Sequence, residues 1–305
     1  MIIFLCPGQG SQTPGFLNPW LEDADIRTLI EGYSASSGVD LITHGTKSDA
    51  DTIRDTAIAQ PLIVSASLAS FHALGKLVDL GQIEYGTVGH SVGEFAAAAI
   101  SGVLSDNDAV ALVRKRSLAM ADAAAQEATS MAAILGGDEA LVLEKLQEHA
   151  IQAANFNGGG QIVAAGSLAA IAALKDDPPQ GSRVIPLQVA GAFHTSYMQP
   201  AVARLEAAAA QITPDDPKVA LWTNHDGSRV SSGQAFIDLL VGQIASPVRW
   251  DRNMAALAEL PIKGLIELSP AGTLVGLARR GLPGVPAVAL KTPEDLVKAV
   301  EMIQA

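Results

Sequence analysis

Two textures alternate along the chain: short unbroken apolar runs, and longer stretches in which apolar residues return every three or four positions. Ile2 to Cys6 is an unbroken run stopped by Pro7-Gly8, the pattern of a strand buried on both faces. Residues from Ala59 to about Val78 place Leu62, Ala66, Ala69 and Ala73 on one stripe and predict a helix. Gly86-Thr87-Val88 ends a predicted strand. Glu94 to Ser101 is an Ala-rich helix small enough to lie close over a sheet, with Gly102 as its cap. Ser105-Asp106-Asn107-Asp108 has the form of a capping box. The helix it opens carries Leu112, Val113, Arg116 and Met120 on one face and turns Arg114 and Lys115 elsewhere.

From Ser130 the period changes. The pattern predicts a strand at Ser130–Leu135, a helix at Asp138–His149, strands near Gln152–Asn155 and Gln161–Ala165 around a glycine turn, a helix at Ser167–Leu174 and a strand at Arg183–Val189. This β-α-β-β-α-β order is the ferredoxin-like unit. It predicts a small subdomain over residues 129–190, inserted into a larger α/β subdomain of residues 1–128 and 191–305. The remainder returns to the larger unit, with helices at Pro200–Ile212 and Gly233–Ile244 and strands at Val219–Thr223 and Leu265–Leu268.

Composition narrows the classes open to such a chain. Its 305 residues suffice for one large domain or a core plus a smaller insert, and 49% hydrophobic content supplies the core. A net charge of −12 argues against a general nucleic-acid or anionic-membrane binder, while leaving room for an acidic partner on a local basic patch. Cys6 is the only cysteine, which excludes an intrachain disulfide and a cysteine-based zinc site. The opening Met1–Leu5 run is too short for a signal peptide, and no stretch is expected to approach the roughly 18 apolar residues that span a bilayer. A cytoplasmic protein is expected. Gln9-Gly10-Ser11-Gln12 lacks the lysine of a P-loop and the spacing of a dinucleotide fingerprint, so neither cofactor is expected.

The candidate chemistry centres on Gly89-His90-Ser91-Val92-Gly93, a G-x-S-x-G pattern between a strand and a helix. Such an elbow pushes the serine hydroxyl out of the sheet and turns the following backbone N–H toward a forming oxyanion. Of the six histidines, His44, His72, His149 and His225 lie in polar loops or on helices without a motif, and His90 occupies a position that usually points back into the scaffold. His194, in Gly191-Ala192-Phe193-His194-Thr195 at the subdomain boundary, is the best-placed general base. Arg116 on an apolar stripe must find an anion or snorkel to solvent: the anion is either a structural salt bridge or a substrate carboxylate that fits its planar fork. The Gln9 loop is either an ordinary turn or a place where glycines let a backbone N–H approach a substrate oxygen.

Taken in order, these stretches resemble the malonyl-CoA:acyl-carrier-protein transacylases, in wording closest to bacterial, actinobacterial-type members. The matching residues are Pro7-Gly8-Gln9-Gly10-Ser11-Gln12, Gly89-His90-Ser91-Val92-Gly93-Glu94, Arg116 with Met120, Asn155-Phe156-Asn157 ahead of Gly160-Gln161-Ile162-Val163, Gly191-Ala192-Phe193-His194, and Gln243 ahead of Pro247-Val248-Arg249-Trp250. The resemblance implies an α/β fold with a hydrolase-like parallel-sheet core and the ferredoxin-like insert. It implies a ping-pong reaction in which malonyl passes from CoA through Ser91 to the phosphopantetheine thiol of an acyl carrier protein, for fatty-acid synthesis.

In that scheme His194 is the base, the backbone N–H groups of Gln9 and Val92 form the oxyanion hole, and Arg116 holds the malonyl carboxylate. The Gln243 carbonyl orients His194 in place of a triad acid, and Phe193 and Val92 favour malonyl over branched acyl groups. Two positions depart from the family: Ser117 stands where glycine usually follows the arginine, and Ser269-Pro270-Ala271 replaces a Gly-Pro-Gly motif. A serine esterase or thioesterase shares the elbow and histidine, but predicts an acid on His194 and no Arg116. A non-enzymatic carrier-binding scaffold predicts loss of Ser91, His194 or Arg116. Arg279, Arg280, Arg249 and Arg252 are the candidate carrier-docking residues, or else solvated surface charges.

Overall fold

The computed structural model describes residues 1–189 and 191–305. Its elements are β1 (Ile2–Cys6), α1 (Ala24–Ser37), α2 (Leu41–Thr46), α3 (Thr56–Gly75), β2 (Tyr85–Gly89), α4 (Gly93–Ile100) and α5 (Asp106–Ala124). There follow β3 (Thr129–Gly136), α6 (Glu139–Glu148), β4 (Gln152–Gly158), β5 (Gln161–Ser167), α7 (Leu168–Asp176) and β6 (Ser182–Pro186). The chain closes with α8 (Gln199–Ala209), β7 (Ala220–Trp222), β8 (Arg229–Val230), α9 (Gly233–Gln243), α10 (Trp250–Ala258), β9 (Gly264–Glu267), α11 (Thr273–Gly281), β10 (Ala287–Ala289) and α12 (Leu296–Gln304).

A six-stranded sheet runs in the order β10-β9-β1-β2-β7-β8, parallel throughout except for the β7–β8 hairpin. The unbroken apolar run of β1 follows from its central place. Ile2, Phe4 and Cys6 face one core with α3, α4 and α5, while Ile3 and Leu5 face a second with Trp222, Trp250, Met254 and Leu274. Truncating Leu5 to alanine in such a site costs about 2–5 kcal/mol. A four-stranded antiparallel sheet, order β4-β5-β3-β6, is built from residues 129–186. Ile134 and Ile162 pack on its helices through Val142, Leu146, Ile171 and Leu174, whereas Met131 and Val163 look the other way, into the cleft. Ala190, the predicted end of the insert, lies outside the described residues.

The structure corrects two expectations at α3. The predicted single stripe is instead burial on every face: Leu62, Ile63, Val64, Ser65, Ala66, Ser67, Leu68 and Ala69 are all buried, because α1, α2, α4, α5 and α12 surround the helix. With 20 residues and a mean hydropathy of 1.4, α3 also meets the length and composition of a membrane span, contrary to the expectation that no stretch would. Its apolar surface is spent on the core, since 83% of that window is buried inside the fold.

Candidate active site

Adjacent parallel strands deliver the loops that form the cleft. β1 pairs with β2, so the Pro7–Gln12 loop and the elbow leave the same edge of the sheet side by side, and the His90 N–H donates to the Cys6 carbonyl at 3.0 Å. The two glycines of the motif are required by this closeness. A Cβ on Gly93 would enter the Cys6 carbonyl, and one on Gly89 would enter the backbone of Gly93 and Glu94.

Ser91 itself adopts φ 52°, a left-handed conformation costly to a side-chain-bearing residue. Its N–H donates to Asn224 Oδ1 at 2.7 Å, while Asn224 Nδ2 donates to the Gly89 carbonyl at 2.7 Å and to Asn253 Oδ1 at 3.0 Å. The strained turn is thus clamped from β7's far end. Asn224 and Asn253 were absent from the sequence reading. The available signal was an asparagine directly after a buried strand, where an unpaired amide would be costly.

His194 lies across the cleft with its Nε2 2.6 Å from Ser91 Oγ and its Nδ1 2.9 Å from the Gln243 carbonyl. A carbonyl only accepts, so Nδ1 carries the proton and Nε2 is free to accept from the serine hydroxyl. His194 is 4% exposed, and burial, reinforced by the charge of Arg116, pushes its pKa down to about 3 against the pull of the Gln243 carbonyl. The imidazole is neutral at physiological pH, the form a base requires. Like Ser91, it sits at positive φ, 61°.

Arg116 is wholly buried. Nη1 donates to Gln60 Oε1 at 2.7 Å, and Nη2 to Gln243 Oε1 at 2.8 Å and to Ser91 Oγ at 3.3 Å. Nε has no partner among the described residues. Burial lowers its pKa to about 9, offset in part by buried Glu94, and it stays protonated at neutral pH. The structural-salt-bridge alternative finds no direct carboxylate partner for Arg116 among the described residues. Gln60 and Glu94 are further members of the cluster that sequence reading did not single out. Glu94 was legible as the one charge in the apolar run of α4.

The Gln9 loop is pinned to the turn before α3. Gln9 Nε2 donates to the Arg54 carbonyl at 3.2 Å, Gln12 Nε2 to the Ile53 carbonyl at 3.0 Å, and the Gly10 N–H to Gln12 Oε1 at 2.9 Å. The backbone N–H groups of Gln9 and Val92 have no acceptor among the described residues. Gln9, Val92, Phe193, Met120, Met131 and Val163 line the cleft with Ser91 and His194. His90, expected to point into the scaffold, is held there beside the cleft: its Nε2 lies 2.9 Å from Asn157 Oδ1 and its ring packs on buried Trp250.

The departures are absorbed locally. Ser117 Oγ bonds back to the Arg114 carbonyl at 2.9 Å, and the Ser269-Pro270-Ala271 turn is fixed by Ser67 and Ser70 bonds to Ser269 and by Glu267 accepting the N–H groups of Gly272, Leu274 and Val275. Of the basic candidates, Arg279, Arg280 and Arg252 are exposed, whereas Arg249 is paired with Asp251 and stacked over Phe156 at 4.4 Å.

A serine hydroxyl, an imidazole, free N–H donors and a buried guanidinium around one cleft are the parts of acyl transfer. The chain belongs to the acyl transferase domain family, whose model matches residues 3–292. Within that class it is similar to the malonyl CoA-acyl carrier protein transacylase of Mycobacterium tuberculosis (strain ATCC 25618 / H37Rv), 48% identical over 97% of this chain and 98% of that protein. The crystal structure of MCAT from Mycobacterium tuberculosis superimposes with a TM-score of 0.95 at 48% identity, covering 98% of this chain and 99% of that one. A malonyl-transacylase solved in complex with its type II PKS acyl-carrier protein matches with a TM-score of 0.91 at 27% identity, over 98% of this chain and 99% of that one.

Proposed function

We propose that the chain is a malonyl-CoA:acyl-carrier-protein S-malonyltransferase of fatty-acid biosynthesis, built from a hydrolase-like core (residues 1–128 and 191–305) and a ferredoxin-like insert (residues 129–190). The observation that carries it is one buried cation beside one activated serine: Arg116 Nη2 lies 3.3 Å from Ser91 Oγ, which lies 2.6 Å from His194 Nε2. An esterase for neutral acyl groups has no use for that cation, whereas a malonyl carboxylate gives its unpartnered Nε an acceptor. The carbonyl on His194 Nδ1, in place of a carboxylate, supports the same reading.

In the first half-reaction Ser91 Oγ attacks the thioester carbonyl while His194 Nε2 takes its proton. The carbonyl oxygen becomes an oxyanion and receives the N–H groups of Gln9 and Val92. Collapse breaks the C–S bond, and His194 returns the proton to the CoA thiolate. The second half runs in reverse: His194 deprotonates the phosphopantetheine thiol, the sulfur attacks the malonyl–Ser91 ester, and Ser91 leaves with the proton. Arg116 holds the carboxylate through both halves, and Phe193 crowds an α-branched acyl chain. The carrier docks on the exposed Arg279, Arg280 and Arg252, with Arg249 already paired.

The test supplies malonyl-CoA with and without a phosphopantetheinylated acyl carrier protein. Malonyl is expected on the carrier thiol, with hydrolysis a minor side reaction. Hydrolysis with no transfer to the carrier would instead support an esterase.

A further inference from the structure

The reactive groups of this cleft converge on a carboxylate that takes no part in the chemistry above. Glu94 lies in the first turn of α4 and is 1% exposed. Its Oε1 accepts the Asn224 N–H at 2.6 Å, and its Oε2 accepts from Gln243 Nε2. Asn224 is the residue that holds the Ser91 N–H, and Gln243 the residue whose carbonyl faces His194 and whose Oε1 accepts from Arg116 Nη2 at 2.8 Å. We propose that Glu94 is the positioning residue for the malonyl clamp, acting on Arg116 through the Gln243 side-chain amide and on Ser91 through Asn224. The proposal rests on reading Arg116 as the carboxylate clamp.

The polarity of the Gln243 amide links the two groups. A primary amide has one accepting and one donating end. Here the donating end of Gln243 goes to Glu94 and to the Ser91 carbonyl at 3.0 Å, leaving the accepting end for the guanidinium. Both neighbours of the Glu94 carboxyl named here are donors, so only a group that accepts on both oxygens satisfies them. Burial raises its pKa to about 8 even with these donors and the charge of Arg116 pulling the other way, and donors on both oxygens are the contacts of its ionised form. Replacing Glu94 by glutamine leaves one acceptor for two donors. The Asn224 N–H is main chain and stays where it is, so the new amide nitrogen meets Gln243 Nε2. Relief requires Gln243 to turn over, which sets its nitrogen against Arg116 Nη2 and its oxygen against the Ser91 carbonyl. The disturbance therefore falls on the clamp, and it reaches malonyl more than an acyl group without a carboxylate.

The test measures acylation of Ser91 in the full chain by malonyl-CoA and by acetyl-CoA, with a thermal melt of each variant. Glu94→Gln is expected to lower the malonyl-to-acetyl rate ratio by about tenfold or more, the size of coupling found between groups in one buried network. Should Glu94→Gln not fold, Gln243→Met cuts the same link while keeping the main-chain carbonyl on His194, and the same loss of ratio is expected. Equal loss of both rates in step with the melt overturns the proposal and leaves Glu94 a purely structural residue. Absence of any malonyl adduct on the unaltered chain overturns the clamp reading, and this inference with it.

Discussion

Two histidines of this protein each sit 2.6 Å from an oxygen, and they have opposite characters. His72, on α3, meets the Asp106 carboxylate, which also accepts from the Tyr33 hydroxyl at 2.6 Å; the hydrogen bond to Asp106 raises the His72 pKa. His194 meets a serine hydroxyl, has only a carbonyl behind it, and is driven down to about 3 by burial and by Arg116. The His72 side chain is 42% exposed, so its pairing is worth little. A histidine beside an acid is therefore the quiet one here. In the proposed mechanism the reactive one is made by exclusion of water and a neutral partner that fixes its tautomer, and the cost of forming an imidazolium is offset only when the oxyanion and the substrate carboxylate are present.

The comparison breaks most sharply at the reacting pair. His194→Ala should lower the rate of Ser91 acylation by on the order of 10⁴–10⁶, the loss seen when a nucleophile's base is removed, while His72→Ala leaves that rate unchanged; stopped-flow release of CoA reads both. Arg116→Ala comes next. Removing one member of a buried charged network costs about 2–5 kcal/mol, so malonyl transfer should fall by about one and a half to three and a half decades while relative activity toward neutral acyl groups rises, measured on an acyl-CoA panel. An unchanged preference would remove Arg116 from the substrate site.

The smallest effect separates the two histidines by pH. His194 binds fewer protons folded than unfolded between about pH 3 and 6.5, so its contribution to stability declines as pH falls through that window. His72 is the reverse: its folded pKa is raised, so its pairing stabilises fully below 6.5 and is lost as pH rises through the raised value. Asp106→Asn should cost at most about 1 kcal/mol, chiefly below pH 6.5, with no change in acylation. Thermal melts across pH 5 to 8 give the result. A larger loss at high pH than at low pH would reverse the assignment.

Much of this architecture was legible because its patterns are local. The β1 run, the strand–elbow–helix around Ser91, and Arg116 on the apolar face of α5 each follow from residues adjacent in sequence. The element order of residues 129–186 was legible for the same reason. What escaped was whatever depends on distant surroundings. The full burial of α3 reflects five helices packed around it, which no single stripe can announce. The Ile26, Ile30, Tyr33 spacing of α1 was there to be read, yet passed over among its polar residues. The Asn224–Glu94–Gln243 network joins residues more than a hundred positions apart in sequence, through contacts that only the assembled cleft brings together. The anchor of His90 escaped because its partner, Asn157, comes from the other sheet.

The central claim is that one serine, paired to a neutral histidine and a buried arginine, carries malonyl as an ester. It is tested most directly by mixing the protein with equal malonyl-CoA and acetyl-CoA, quenching in acid, and weighing the peptide that contains Ser91. The account predicts a malonyl ester on Ser91, dominant over acetyl, that disappears when a phosphopantetheinylated carrier is added before the quench. An acetyl ester in equal or greater amount, or a malonyl adduct on another residue, would contradict it.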